Sequence, residues 1–81
     1  MHELSIAMSI LDSVQEELEQ RQCGAIDAVH IRIGEQSGVV PDALRFAYEV
    51  AVQETPFASC RLVIESAPGH ELEIFALELP T

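Results

Sequence analysis

Up to Arg21 the chain sets apolar side chains at steps of three and four. Leu4, Ala7, Met8, Leu11, Val14 and Leu18 fall on one side of a helix, with Ser9, Asp12, Ser13, Glu16, Glu17, Glu19 and Gln20 mostly on the other. The spacing predicts an amphipathic helix from Leu4 to Arg21 with one buried stripe. Glu17 and Arg21, four apart with the acid first, support it by about 0.3 kcal/mol. Gly24 is the predicted stop, since glycine takes the left-handed conformation without a Cβ penalty. From Ile26 to Ile33 the period changes to two. Val29, Ile31 and Ile33 alternate with His30 and Arg32, as in a strand with one polar face. Gly34, Ser37 and Gly38 mark a loop that runs to Pro41. Pro41 suits the first turn of a second helix, where its missing N–H is not needed, and Asp42 beside it faces the positive end of the helix dipole. Leu44, Ala47, Tyr48, Val50 and Ala51 carry that helix to the neighbourhood of Gln53, and Thr55-Pro56 ends it. Cys60 to Glu65 reads as a second strand centred on Leu62-Val63-Ile64. Pro68-Gly69 signals a turn. Leu72, Ile74 and Ala76 then alternate with Glu71, Glu73 and Phe75 in a third strand that runs towards Leu79.

The order helix, strand, helix, strand, strand predicts an α+β fold, an α/β two-layer domain in which both helices cover one face of a small three-stranded mixed sheet. The first two strands are joined through a helix, so a parallel pair with a right-handed crossover is expected. Strands two and three are expected to form a hairpin. Residues 1–81 read as one domain, with no repeat, linker or low-complexity segment. A chain of this length buries roughly 60–65% of the surface it exposes when unfolded. Its core is thin, and a deep cavity would cost stability.

Composition narrows the function classes. Hydrophobic residues make up 48% of the chain, too many for a disordered acidic tail. No apolar run approaches the ~18 residues of a spanning helix, and no membrane association is expected. The N-terminus shows neither a basic region nor a cleavage site, so a secretory signal is not expected and a cytoplasmic location is. Fourteen acidic residues stand against four arginines, for a net charge of −10. That field repels phosphate backbones, which argues against nucleic acid, and attracts metal cations or a basic protein surface. Cys23 and Cys60, far apart in sequence, are expected to stay reduced as small packed thiols.

The catalytic repertoire is sparse. His30 has no serine or cysteine nucleophile in a recognisable motif beside it, and no GxSxG, HExxH or phosphate loop occurs. An enzyme is not expected. Two lone cysteines cannot supply a structural zinc site, which wants four Cys or His ligands in close pairs. The N-terminus differs. The α-amine of Met1, the first backbone amides and the imidazole of His2 can converge on one ion through short chelate rings, with Glu3 adjacent. Once the amides lose their protons, such a nitrogen-rich set suits square-planar Ni(II) or Cu(II), and affinity falls with pH. The same residues also fit an idle, frayed terminus. His30 is expected as a satisfied sheet-face residue and His70 as an exposed turn residue.

Met1-His2-Glu3-Leu4-Ser5, opening an amphipathic helix, resembles the HypA/HybF family of nickel metallochaperones. Gly34-Glu35-Gln36-Ser37-Gly38-Val39-Val40-Pro41 resembles that family's loop between its first strand and second helix. Leu44-Arg45-Phe46-Ala47-Tyr48-Glu49 is similar to its second helix, Leu62-Val63-Ile64-Glu65 to its next strand, and Gly69-His70-Glu71-Leu72-Glu73-Ile74 to its closing strand. The resemblance covers essentially the whole chain. It implies delivery of nickel to the large subunit of [NiFe]-hydrogenase together with the HypB GTPase, some members also serving urease. It implies Ni(II) held at the N-terminus by Met1, His2 and backbone nitrogens, with Glu3 nearby. In some members an acid near the start of the second helix joins in. That position is Val40 here, which leaves Asp42, the nearest acid, as the candidate. The family also binds zinc through two CxxC pairs in a second lobe. Those ligands are absent from this sequence, and the lobe is missing between Pro68 and Gly69. Two other readings stand beside this one: a metal-free acidic module that docks on a GTPase or other basic partner, and a fragment that exchanges elements between chains as a homodimer.

Overall fold

The computed structural model describes residues 2–80. Five elements follow in the expected order: α1 (Glu3–Arg21), β1 (Ala28–Gly34), α2 (Pro41–Val52), β2 (Arg61–Ala67) and β3 (Leu72–Glu78). Pro41 occupies the start of α2 as its fixed φ requires. The end of α1 falls earlier than its glycine. Gln22, with φ 54°, takes the left-handed conformation and donates its N–H to Glu19, while the N–H of Cys23 reaches the carbonyl of Leu18 at 3.0 Å. Main-chain bonds therefore close the helix before Gly24, at a conformational cost to Gln22 of about 1 kcal/mol.

The buried face of α1 is also rotated from the expected stripe. Ile6, Ala7, Ile10, Val14 and Leu18 are buried. Leu4 and Met8 are 41% and 57% exposed, and Leu11 is half-buried. Apolar residues cover a wider arc of this helix than the sheet can bury, so periodicity located the arc without selecting the part that packs.

The sheet is mixed, with strand order β2-β1-β3. β1 runs parallel to β2, with His30 opposite Val63, and antiparallel to β3, with Ile31 opposite Ile74. The parallel pair is as expected; the hairpin is not. β2 and β3 lie on opposite sides of β1, and the turn between them crosses the end of β1. Three main-chain hydrogen bonds fasten it there: Glu35 N–H to Ala67 at 2.8 Å, Gln36 N–H to Gly69 at 2.8 Å and Gly34 N–H to Glu71 at 2.6 Å. The physical reason lies in burial. β1 buries Ala28, Val29, Ile31 and Ile33 and takes the centre, where both its edges are paired. β3 buries none of its residues fully and is suited to an edge.

A bulge further corrects the reading of β3. The register shifts between Ile31, opposite Ile74, and His30, opposite Ala76, which leaves Phe75 as the extra residue. Inward positions consequently step from Ile74 to Leu77, and both pack on the core, where plain alternation would have sent Ala76 inward. Ile31, Leu44, Val14 and Val29 are the largest fully buried side chains. The Tyr48 hydroxyl, also buried, donates to the carbonyl of Cys60 at 3.0 Å. Burial, with Cys60 adding to it, pushes that hydroxyl well above its ordinary pKa. Cys60 is buried and Cys23 half-buried, both as free thiols.

Candidate metal centre

His2 is the N-cap residue of α1, with an extended backbone at φ −88° and ψ 119°. Its carbonyl accepts the N–H of Ile6 at 3.2 Å, so the helix begins immediately after it. Its imidazole is exposed and makes no capping hydrogen bond. Helix geometry leaves the N–H groups of Glu3, Leu4 and Ser5 without an intrahelical acceptor. An accessible imidazole thus stands next to amide nitrogens whose protons can be lost without breaking a helical bond. The positive end of the helix dipole favours the negative charge such a loss creates. Glu3 is half-buried in the first turn. Met1, the other N-terminal candidate, lies outside the described residues.

Asp42 is exposed in the first turn of α2, and Val40, the N-cap of that helix, is 56% exposed and carries no ligating atom. Among the described residues, no three His, Cys, Asp or Glu side chains form a group that could hold a metal ion. The structure therefore does not gather His2, Glu3 and Asp42 into a side-chain cluster. Cys23 and Cys60 likewise join no such group.

The remaining histidines are accounted for elsewhere. His30 lies on the polar face of the sheet with Nε2 2.5 Å from the Glu78 carboxylate, and Arg61 reaches the same carboxylate at 3.5 Å. The hydrogen bond from His30, helped by the charge of Arg61, holds the Glu78 carboxyl below its ordinary value. Beside it Arg32 pairs with Glu73 at 3.2 Å and lies over the Phe75 ring at 4.1 Å, which the bulge turns to this face. His30 is thus the satisfied sheet-face residue its alternation suggested, and its partner sits 48 positions away, beyond any local pattern. His70 is exposed in its turn. An open groove of about 700 Å³ runs between α1 and β3, lined by Ser5, Ser9 and Ser13 on one side and Ile74, Leu77 and Leu79 on the other. Its charged residues are already engaged, Glu17 with Arg21 and Glu73 with Arg32.

Residues 1–72 match the family described as "Hydrogenase/urease nickel incorporation, metallochaperone, hypA". The hydrogenase maturation factor HypA of Chloroflexus aurantiacus is 46% identical over 68 residues, 84% of this chain and 60% of its own. That of Chlorobaculum parvum is 40% identical over 65 residues, 80% of this chain and 58% of its own. The chain therefore spans somewhat under two thirds of the length of these relatives. The solution structure of the Ni metallochaperone HypA from Helicobacter pylori superposes with a TM-score of 0.87, covering 98% of this chain and 97% of that one at 18% identity, a likeness of fold. No helix among the described residues is long and apolar enough to cross a membrane.

Proposed function

Since the chain belongs to the HypA family of hydrogenase and urease nickel-incorporation metallochaperones, we propose that it carries Ni(II) at its N-terminus for the maturation of [NiFe]-hydrogenase. It acts as a carrier and not as a catalyst. The observation that carries this reading is the state of His2: an exposed imidazole, free of capping duty, at the start of a helix whose first amides have no intrahelical acceptor. Met1 supplies the α-amine, His2 the imidazole, and deprotonated main-chain nitrogens complete a strong-field set of the kind Ni(II) prefers. Glu3 lies beside them, and Asp42 is a further oxygen donor only if the N-terminus swings towards α2.

The expected partners are those of the family: a HypB-type GTPase and the hydrogenase large subunit, with the cytoplasm as the working compartment. The zinc-binding lobe of the family belongs at the Pro68–Gly69 junction. In this chain that junction is a turn clamped to the end of β1, which supports the reading that the nickel-binding lobe folds without it.

The test is a calorimetric titration of tag-free protein with Ni(II), beside His2→Ala. About one ion per chain is expected, with binding lost in the variant and weakened as pH falls. Equal affinity in the two proteins would contradict the reading.

A further inference from the structure

Leu4 and Met8, left out of the core by the rotation of α1, do not stand alone. By helical spacing they lie with Leu11 on the flank of α1 that faces α2. They border a shallow groove whose opposite wall is Ala51 of α2 and the segment after it. Above that wall, by helical spacing, Val50 and then Phe46 lie on the outward face of α2, opposite its buried Leu44, Tyr48 and Val52, and are 46% and 68% exposed. The two helices pack directly against each other. One apolar seam therefore runs along their junction on the solvent side, about 18 Å long if it follows the twelve residues of α2.

Its rims carry one sign of charge. Asp12 and Glu19 border it on α1; Asp42 and Glu49 border it on α2, all exposed. None of the four arginines answers them. Arg21 pairs with Glu17, Arg32 with Glu73 and Arg61 with Glu78, while Arg45 donates to the carbonyl of Leu62 at 2.9 Å. A second copy of this chain would bring two acidic rims together, against a net charge of −10 on each.

We infer that the α1–α2 seam is a docking groove for a basic amphipathic helix of a partner protein, with apolar side chains seated between Met8 and Phe46 and lysine or arginine on both flanks. Apolar contact supplies the affinity, and the rims set orientation and encounter rate. The surface leaves out His2 and needs no metal; of the described candidate nickel residues only Asp42 lies on its rim, and the variants that test the groove leave Asp42 in place.

The probe is a fluorescently labelled synthetic helical peptide with leucine on one face and lysine on the other. Its anisotropy is followed as metal-free protein is added. Saturable binding is expected, unchanged by His2→Ala and absent for a matched leucine/glutamate peptide. Met8→Ser and Phe46→Ser should each weaken it about tenfold, and the double variant Asp12→Lys, Glu49→Lys should abolish it. Both apolar sites are mostly exposed, so thermal melts should match the parent. Val63→Ser, on the far face of the sheet, should bind as the parent does. Unchanged affinity in Met8→Ser and Phe46→Ser would overturn the inference, because it would reduce binding to bulk charge. A concentration-dependent dimer abolished by Phe46→Ser would overturn it in favour of a second copy.

Discussion

The carbonyl oxygen of Gly69 occupies the space where Gly34 would carry a side chain, 2.3 Å from an ideal Cβ position, with the amide of Glu71 at 2.5 Å. Both neighbours are main chain, held by the bonds that strap the β2–β3 turn across the end of β1. Gly34→Ala must therefore push the turn away and loosen those bonds. A loss of about 2–3 kcal/mol is expected, roughly 10 °C or more in Tm for a chain of this size. Gly24→Ala, with nothing within 4 Å of its Cβ, should melt like the parent.

The core face of α1 can be tested by paired truncations. Ile10→Ala should cost about 2–4 kcal/mol, since Ile10 is buried. Met8→Ala should stay within about 0.5 kcal/mol. Equal losses in denaturant titrations would restore the stripe that simple spacing suggests.

Much of this fold is legible in the amino-acid sequence. The 3.6 and 2.0 periods locate all five elements, and Pro41 marks the start of α2. What could not be read depends on long-range choice. Pro68-Gly69 specifies a reversal but not which strand lies beside the next one, and the burial of β1 decides that. The Phe75 bulge leaves no mark in the alternation of Leu72, Glu73 and Ile74, because the extra residue is defined only against the partner strand. The candidate site divides in the same way. His2 and Glu3 stand beside Met1 as a motif in the sequence, whereas Asp42 enters only through the family resemblance, as the nearest acid to Val40. Whether the latter approaches the N-terminus is a matter of packing, and no side-chain cluster joins them among the described residues.

Tyr48 links α2 to the residue before β2. Tyr48→Phe leaves the carbonyl of Cys60 without its donor and should cost about 1 kcal/mol. The raised folded-state pKa of the hydroxyl adds a pH signature. Below the unfolded value near 10 the burial of the neutral phenol is uncompromised; above it the unfolded chain ionises first and stability falls as pH rises. In the variant this alkaline decline should shrink, as measured by urea unfolding across that range.

Glu78 gives the opposite signature. Its carboxyl is held below the ordinary value of 4.5 by His30 and Arg61, so the folded state gives up the proton more readily than the unfolded chain. The resulting stabilisation is present above that ordinary value and is lost as pH falls through the lower, folded one. Glu78→Gln should flatten the acid limb of the stability profile, and a profile identical to the parent would show that the carboxylate is not held by these partners.

Nickel at the first residues, and not in a pocket of the folded body, is tested most directly by blocking the leading nitrogen. Tag-free protein mixed with Ni(II) should develop the yellow visible absorbance of a planar nitrogen complex, and the N-acetylated protein should not. Undiminished absorbance after acetylation would contradict an N-terminal site.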